Sequence, residues 1–328
     1  MDETVVLGEV TCPSGELVLM DGGYLGLWCG DRSPDDSDTS NDTPASDFEV
    51  IGPDAEVAAR SFDRQSGRTL YDIPQHGIDK FTALFRQHCR DHAHDASLRS
   101  FARRIPHRDR VRRAVTERDP DFLIMGVPVV PVGGVPTDRP LPVTAVRGEW
   151  GWSQIRIGLR ERPAVAVHRL GSIGVDHARF VFADADALGS WVHDDPLDGL
   201  ADVVFWGRDA EQVAAEFGAQ RTGTPGDDGY GWLNLPVRDA YARAAALADR
   251  RKAAPPRMFA FDLRPHSHHW QVMKGVRAAQ NEAATVEVAG ARIMMAMTSV
   301  GDGFFPVDLD IDAAGYPVAV RISVSSDD

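Results

Sequence analysis

The chain has 328 residues, with 49 Asp or Glu against 35 Lys or Arg and a formal net charge of −14. This length allows two domains or one large α+β domain, and the acidic balance argues against general binding to nucleic acid or to an anionic membrane surface. No run of about 18 apolar residues predicts a membrane-spanning helix, and the start lacks the basic and apolar segments of a secretory signal. Three scattered cysteines predict reduced thiols in a cytoplasmic protein.

Residues 5–28 predict a β-rich start. A hairpin over the four-residue loop 13–16 would place the apolar residues of both strands on one face. Residues 31–47 are polar, contain six aspartates and have no large apolar residue, which predicts a disordered acidic loop. Those aspartates lack the glycine and the distal glutamate of a calcium loop, so calcium binding is not expected.

The segment 75–119 combines helical spacing of apolar residues with a local excess of positive charge. From His76 to Arg118 there are 11 Lys or Arg and 5 Asp or Glu, a balance of +6. Two helices are predicted, the second over 98–111. The basic face is interpreted as solvated or as docked on the protein's own acidic surface, with anion or nucleic-acid binding as a minority alternative. His88 and His92 lie four residues apart on one helix face, a spacing that can bind a metal.

Residues 120–142 are rich in proline, which argues against an interior helix or a central strand. They predict an extended connection and a domain boundary. The first predicted domain, 1–142, holds the β-rich start and the basic helical segment. The second, 143–328, holds an α/β segment followed by a C-terminal β-meander.

Alternating apolar residues in the second part predict strands at 153–159, 164–168, 179–183, 201–206 and 258–263. Helices are predicted at 210–217, between the N-cap Asp209 and the stop signal Gly218, and at 237–251. The chain should end in a hairpin with the four-residue loop 312–315, which pairs Ile311 with Tyr316. Its aspartates would face solvent, because side chains alternate along a strand.

Two loops of the C-terminal part concentrate polar residues, 264–270 and 301–303. In one hypothesis His266 and His268, with Asp262 or Asp302, bind a divalent metal that activates water. In another, His266 or His268 is a general base oriented by Asp302. In the structural interpretation the histidines cap the helix that starts near Trp270, and the second loop is a turn.

The run Gly301-Asp-Gly-Phe-Phe-Pro-Val307, followed by Ala314-Gly-Tyr-Pro-Val-Ala-Val320, resembles the end of a bacterial family known as domain of unknown function 4241. The early segment Ser14-Gly-Glu-Leu-Val18 with Asp21 is similar to that family's opening. The resemblance covers only the two ends of the chain. It implies an intracellular α+β protein of bacterial origin and carries over no catalytic residue.

The sequence therefore predicts an intracellular, mixed α+β protein in which antiparallel sheets pack against helices and both termini supply strands to one β-rich unit. A binding protein of an immunity-like kind, with an acidic surface that neutralises a basic protein partner, is favoured because no nucleophile–base pair or closed metal set is present. The alternative is a small-molecule enzyme such as a metal-dependent hydrolase. Its catalytic residues would be His266, His268 and Asp302, and its metal ligands His266, His268 and Asp262.

Overall fold

The computed structural model describes residues 3–36, 44–62, 67–117, 122–223 and 229–324. The first elements are β1 (Thr4–Val10), β2 (Glu16–Asp21), β3 (Ala45–Ile51), α1 (Ala55–Ser61), β4 (Thr69–Pro74), α2 (Ile78–Asp91), β5 (Ser97–Ser100), α3 (His107–Glu117), β6 (Phe122–Ile124), β7 (Val127–Gly133), β8 (Leu141–Arg147), β9 (Trp152–Gly158), β10 (Ala166–Val175) and β11 (Arg179–Asp184). They continue with β12 (Leu200–Trp206), α4 (Ala210–Phe217), β13 (Gln220–Arg221), β14 (Tyr230–Pro236), α5 (Val237–Lys252), β15 (Ala260–Pro265), α6 (His268–Ala278), β16 (Ala283–Val288), β17 (Ala291–Met297), β18 (Gly303–Ile311) and β19 (Pro317–Ser323).

The chain divides into two compact units. The first comprises Met1–Ser190 and Glu287–Asp328, and the second comprises Trp191–Val286. The predicted boundary between 142 and 143 instead falls inside β8, which pairs with β1 on one side and β9 on the other. Proline enrichment does not mark this division, because Pro128, Pro131 and Pro142 lie within the strands β7 and β8. No helix in the described part of the chain is long and apolar enough to cross a membrane.

The α+β prediction is confirmed, and both ends of the chain contribute strands to one sheet. This six-stranded antiparallel sheet has the order β1-β8-β9-β19-β18-β10. A second six-stranded sheet has the order β16-β17-β11-β2-β7-β6. The predicted hairpin over 13–16 is wrong, because its two strands, β1 and β2, enter different sheets. The sheets pack on each other, with Phe180 of β11 edge-on to Phe305 of β18 at a centroid separation of 4.9 Å.

The proline-rich stretch forms an interior strand of the second sheet, contrary to the predicted extended connection. β7 lies between β2 and β6, but it pairs with each through a different half. Residues 127–129 pair with β6, and residues 130–133 pair with β2. Pro128 and Pro131 therefore each face one partner strand only. A missing backbone donor costs less in such a divided ladder than it would between two full partners.

A three-stranded sheet of order β4-β3-β5 packs against α1 and α2 through a separate apolar cluster that includes Phe48, Leu70 and Phe85. The predicted disordered loop 31–47 is ordered in part. A 3-10 helix covers Pro34–Asp36, and β3 begins at Ala45, while residues 37–43 lie outside the described residues. The predicted helix over 98–111 is also corrected, since this stretch contains β5 followed by the start of α3.

Arg110 of α3 lies at the centre of a buried ion network. Its side chain is fully buried and donates two hydrogen bonds to the Asp72 carboxylate, at 2.8 and 3.0 Å. Asp47, also fully buried, lies 3.4 Å away, and the guanidinium carbon lies 4.4 Å above the ring of Tyr71. Arg104 and Arg108 are likewise buried beside acidic side chains. Much of the basic segment therefore docks on the protein's own carboxylates.

The final hairpin keeps the predicted facing but not the predicted register. Leu309 pairs with Val320, and an irregularity near Ile311 shifts the ladder at Pro317. The reason is the Asp312 carboxylate, whose Oδ1 accepts from the backbone N–H groups of Ala314 and Tyr316 and so tightens the turn. The prediction that the aspartates face solvent is wrong for Asp310 and Asp312, which are 9% and 6% exposed. Each of the hairpin aspartates pairs with an arginine.

The second unit contains a four-stranded antiparallel sheet of order β13-β14-β12-β15. Its core includes Val203 and Phe205 of β12, Val213 of α4 and Leu247 of α5. The predicted helix at 210–217 matches α4 residue for residue, and it ends at Gly218, whose φ of 64° is the left-handed conformation expected of a helix stop.

Candidate functional site

The predicted site residue His266 lies in the second unit between two carboxylates. Its Nδ1 is 2.9 Å from Asp198 Oδ2, and its Nε2 is 3.1 Å from Asp202 Oδ1. Burial lowers the pKa of His266 and the two hydrogen bonds raise it, with a net upward direction. A ring that donates from both nitrogens is a cation with no lone pair for a metal. The arrangement is that of an ion pair which fixes the 198–202 segment.

The other predicted residues have separate partners. His268 begins α6, and its Nδ1 accepts a hydrogen bond of 2.9 Å from Val192 N–H. Asp262 lies 3.2 Å from Arg264 Nε, and Asp302 belongs to the first unit. The helix cap is Ser267 rather than a histidine, since its Oγ accepts from Trp270 N–H.

Metal binding has no support in the described residues, which hold no group of three or more His, Cys, Asp or Glu side chains arranged for a metal ion. His88 and His92 do meet as their spacing predicts, with ring centroids 4.2 Å apart and His94 nearby. Ser61 Oγ lies 2.8 Å from His88 Nε2, so a hydroxyl rather than a further metal ligand occupies that nitrogen.

Asp302 belongs to a group of hydrogen-bonded loops in the first unit. Two loops, 148–151 and 176–178, are each joined by hydrogen bonds to the segment 299–304, a loop that runs into the start of β18, and the three together are called here the three-loop surface. The Asp302 carboxylate accepts from Ala178 N–H at 2.8 Å. Ser299 Oγ accepts from Trp152 N–H at 2.7 Å, which ties the third loop to the end of the first.

A buried carboxylate fixes the position of the loop 176–178. Asp21, at the end of β2, is 1% exposed and accepts from the backbone N–H of Asp176 at 2.7 Å. The same Oδ2 lies 3.0 Å from His177 Nδ1, while Oδ1 accepts from Gly23 N–H at 2.7 Å. Asp21 therefore fixes both the turn and the histidine ring, whose side chain stays 43% exposed.

Tyr24 and Gly23 complete this arrangement. The Tyr24 hydroxyl donates to Asp176 Oδ2 at 2.8 Å, and its ring meets that of His177 edge-on. Partial burial, reinforced by the Asp176 hydrogen bond, raises the pKa of Tyr24 to about 12. Glycine is required at position 23, because a Cβ there would lie 2.1 Å from His177 Nδ1.

Two residues of the three-loop surface have left-handed backbones without being glycine. Ala178 has φ of 53°, and Ser299 has φ of 64°. Such residues cost free energy and persist where the surrounding contacts fix the conformation, often at functional loops. The hydrogen bonds on both sides of these residues supply that constraint, so the loops are held in one shape.

The three-loop surface exposes large apolar side chains beside acidic ones. Trp150 is 82% exposed, Phe304 73% and Val300 42%. The same loops carry the exposed carboxylates of Glu149, Asp176 and Asp302. Exposed aromatic side chains on rigid loops are the usual anchors of protein interfaces.

Asp302 was predicted as a site residue from the sequence, whereas His177, Tyr24 and Trp150 were not. A local signal existed for Trp150, because Gly148-Glu-Trp-Gly151 places a tryptophan at the tip of a glycine turn. No local signal could join His177 to Asp21, which lies 156 positions away. No protein-family model, no curated protein and no solved structure matches the chain.

Proposed function

We propose that this chain is an intracellular, immunity-like binding protein whose three-loop surface captures and neutralises a basic protein partner. The observation that carries the proposal is the pair of exposed aromatic side chains, Trp150 and Phe304, on loops fixed by hydrogen bonds. Rigid aromatic anchors contribute binding energy with little loss of conformational entropy.

Charge complementarity defines the partner. The chain carries a formal net charge of −14, and the three loops add three exposed carboxylates around the apolar anchors. Acidic groups around an apolar centre steer a basic partner and disfavour an acidic one. All three cysteines are free and buried, as expected of a protein in a reducing compartment.

The segments that carry the resemblance to domain of unknown function 4241 also favour this surface. Asp21, from the first segment, and Asp302, from the second, hold the same 176–178 turn through Asp176 N–H and Ala178 N–H. Membership of that family, and of a bacterial lineage, forms part of the proposal. The shared residues would then be those that shape the binding loops.

The alternative, a metal-dependent hydrolase at His266, His268 and Asp302, has weaker support. Both ring nitrogens of His266 lie within hydrogen-bonding distance of carboxylates, and His268 Nδ1 accepts from a backbone amide. A catalytic base needs a free nitrogen within reach of the substrate proton. Zinc, manganese and iron analysis of the purified full chain tests this alternative, and a stoichiometric metal lost in a His266→Ala/His268→Ala variant would favour it.

Capture experiments with Trp150→Ser test the binding proposal. The full chain is immobilised, exposed to a lysate of its native host, and the retained proteins are identified by mass spectrometry. We expect a basic protein that binds with one-to-one stoichiometry after purification, as measured by calorimetry. Trp150→Ser should weaken that binding at least tenfold, because truncation of an anchor aromatic costs 2 kcal/mol or more, by the usual order of magnitude.

Val167→Ser is the matched control, because Val167 is an exposed apolar residue of the same unit outside the three loops, 55% exposed. It should leave the affinity unchanged. Glu149→Lys should slow association several-fold and reduce its dependence on salt. An acidic partner, or equal losses of affinity in Trp150→Ser and Val167→Ser, would contradict the proposal.

A further inference from the structure

A second surface of the first unit carries the opposite charge. A cleft of about 650 Å³ lies where β8 begins and where the chain leaves β9. Its lining contains four arginines and one acidic residue, Arg139, Arg156, Arg160, Arg162 and Glu161. In a chain with an excess of 14 acidic residues, four guanidinium groups around one cleft are a local inversion of charge.

Three of these arginines have no carboxylate partner among the described residues. Arg139 donates to the Leu159 carbonyl at 2.7 Å, and Arg160 donates to the carbonyls of Pro317 and Gly134 at 2.6 and 3.2 Å. Neutral carbonyls position these groups without cancelling their charge. Only Arg162 is neutralised, by Asp312 at 3.0 Å.

Arg156 is the least constrained of the four, since no described side chain or backbone group bonds its guanidinium. It lies on β9 beside Gly158, where a Cβ would come within 3.4 Å of Arg156 Nη1 and 3.2 Å of Pro142 Cγ. Glycine therefore keeps space open next to this guanidinium. Because like charges repel, an anion bound beside this unpaired guanidinium would reduce the repulsion between the arginines of the cleft.

The walls of the cleft are fixed in position. Pro140, Pro142 and Pro163 line it, and proline restricts the backbone. The N–H groups of Leu159 and Arg160 both donate to the Val318 carbonyl, at 2.8 and 3.0 Å, which anchors the loop after β9. A rigid site loses little entropy on binding, and the volume is that of a small-molecule pocket rather than of an extended interface.

We propose that this cleft binds a phosphate-bearing small molecule. Guanidinium groups match the geometry of phosphate oxygens through paired N–H donors, and they remain charged at every physiological pH. The site is separate from the three-loop surface. β8 has seven residues, so its ends lie about 20 Å apart, with the cleft at one end and the 148–151 loop at the other.

Inorganic pyrophosphate is the probe for the test, titrated into the purified full chain at low ionic strength in a calorimeter. We expect one site per chain and an affinity that falls as salt is added. Arg156→Gln should weaken binding about tenfold, by the usual strength of a charged hydrogen bond, without lowering the melting temperature. Glu161→Gln should strengthen binding about twofold, because it removes from the lining a negative charge that repels the anion.

Arg112→Gln is the control, since Arg112 is a half-exposed arginine of α3 that does not line the cleft. It should bind pyrophosphate as the wild type does. Absence of binding by the wild type, unchanged binding by Arg156→Gln, or weaker binding by Glu161→Gln would each overturn the proposal. Tighter binding of citrate than of pyrophosphate would overturn the assignment to phosphate. Partner capture through Trp150 should not change in Arg156→Gln, which separates this site from the proposed function.

Discussion

The two units each hold a cation between two carboxylates, but the cations differ in kind. In the first unit Arg110 lies between Asp47 and Asp72, with its side chain fully buried. In the second unit His266 lies between Asp198 and Asp202, and Asp198 is 50% exposed. Arginine keeps its charge at any pH at which the protein is folded, whereas histidine loses its charge near neutrality. The first arrangement is therefore permanent, and the second depends on pH.

Removal of Arg110 should have the largest effect on stability. Arg110→Met leaves the buried Asp47 without its arginine and Asp72 with only Arg104, 3.5 Å away. Loss of one partner from a buried ion network costs about 3–5 kcal/mol. Urea unfolding of the purified chain measures the loss, with hydrogen exchange of α3 and β4 peptides to assign it to the first unit. Arg112→Met, a half-exposed neighbour on α3, should cost less than about 0.5 kcal/mol.

Further substitutions can show whether Arg110→Met loses stability through the unpaired carboxylates or through lost packing. Adding Asp47→Asn and Asp72→Asn to Arg110→Met should recover part of the lost free energy, since the orphaned charges are removed. If the triple variant is no more stable than Arg110→Met, the cost comes from the lost contact with Tyr71 instead.

His107 should make the first unit sensitive to acid. This side chain is 3% exposed, and burial together with the neighbouring Arg110 holds its pKa well below the usual value. The neutral ring accepts from Cys29 N–H at 3.2 Å. A lowered histidine pKa contributes stability above about pH 6.5, and that contribution is lost as pH falls towards the folded-state value.

His107→Asn keeps an acceptor near the position of Nδ1 but cannot titrate. Between pH 6.5 and pH 5 the wild type should lose up to about 2 kcal/mol more than this variant, at about 1.4 kcal/mol for each pH unit. Urea unfolding at four or five pH values gives both curves. Parallel curves would show that His107 does not control the acid response.

His266 should give the second unit the opposite response. Its pKa is raised, so its contribution is complete below about pH 6.5 and is lost as pH rises through the folded-state value. His266→Gln should reduce hydrogen-exchange protection of β12 and β15 at pH 6, by less than about 1.5 kcal/mol. The difference should shrink by pH 8.5. His268→Asn is the control, because His268 accepts a hydrogen bond as a neutral ring.

Elements with a strong periodic pattern could be predicted from the sequence, but the pairing of strands that are distant in the chain could not. The pattern at 210–217 is bounded by Asp209 and by the stop signal Gly218, so both ends of α4 were predicted correctly. The Asp209 side chain does not cap the helix, however, and accepts from Met258 N–H instead. β1 and β2 were each recognisable as strands, yet their pairing in different sheets depends on β8, β7 and β11, which are distant in the chain. Sheet membership is a property of the whole fold.

The candidate site shows the same division. The sequence drew attention to the Gly301–Gly303 turn, because glycines around an aspartate predict a special backbone. It could not show that Asp302 binds the Ala178 amide, or that Asp47, predicted in a disordered loop, is a buried partner of Arg110. Histidine density at 266–269 was a weaker guide, since the carboxylates that fix His266 precede it by more than 60 positions.

The smallest effect on stability is expected for a surface ion pair, formed by Arg169 and Asp308 on neighbouring strands. Arg169 Nε lies 2.6 Å from Asp308 Oδ1, but the arginine side chain is 58% exposed. Water screens such a pair, so a double-mutant cycle with Arg169→Ala and Asp308→Ala should give a coupling below about 1 kcal/mol that falls as salt is added. A coupling above about 2 kcal/mol, or one insensitive to salt, would contradict this expectation. In that case burial would not explain why the Arg110 ion pairs contribute more to stability than the pair of Arg169 and Asp308.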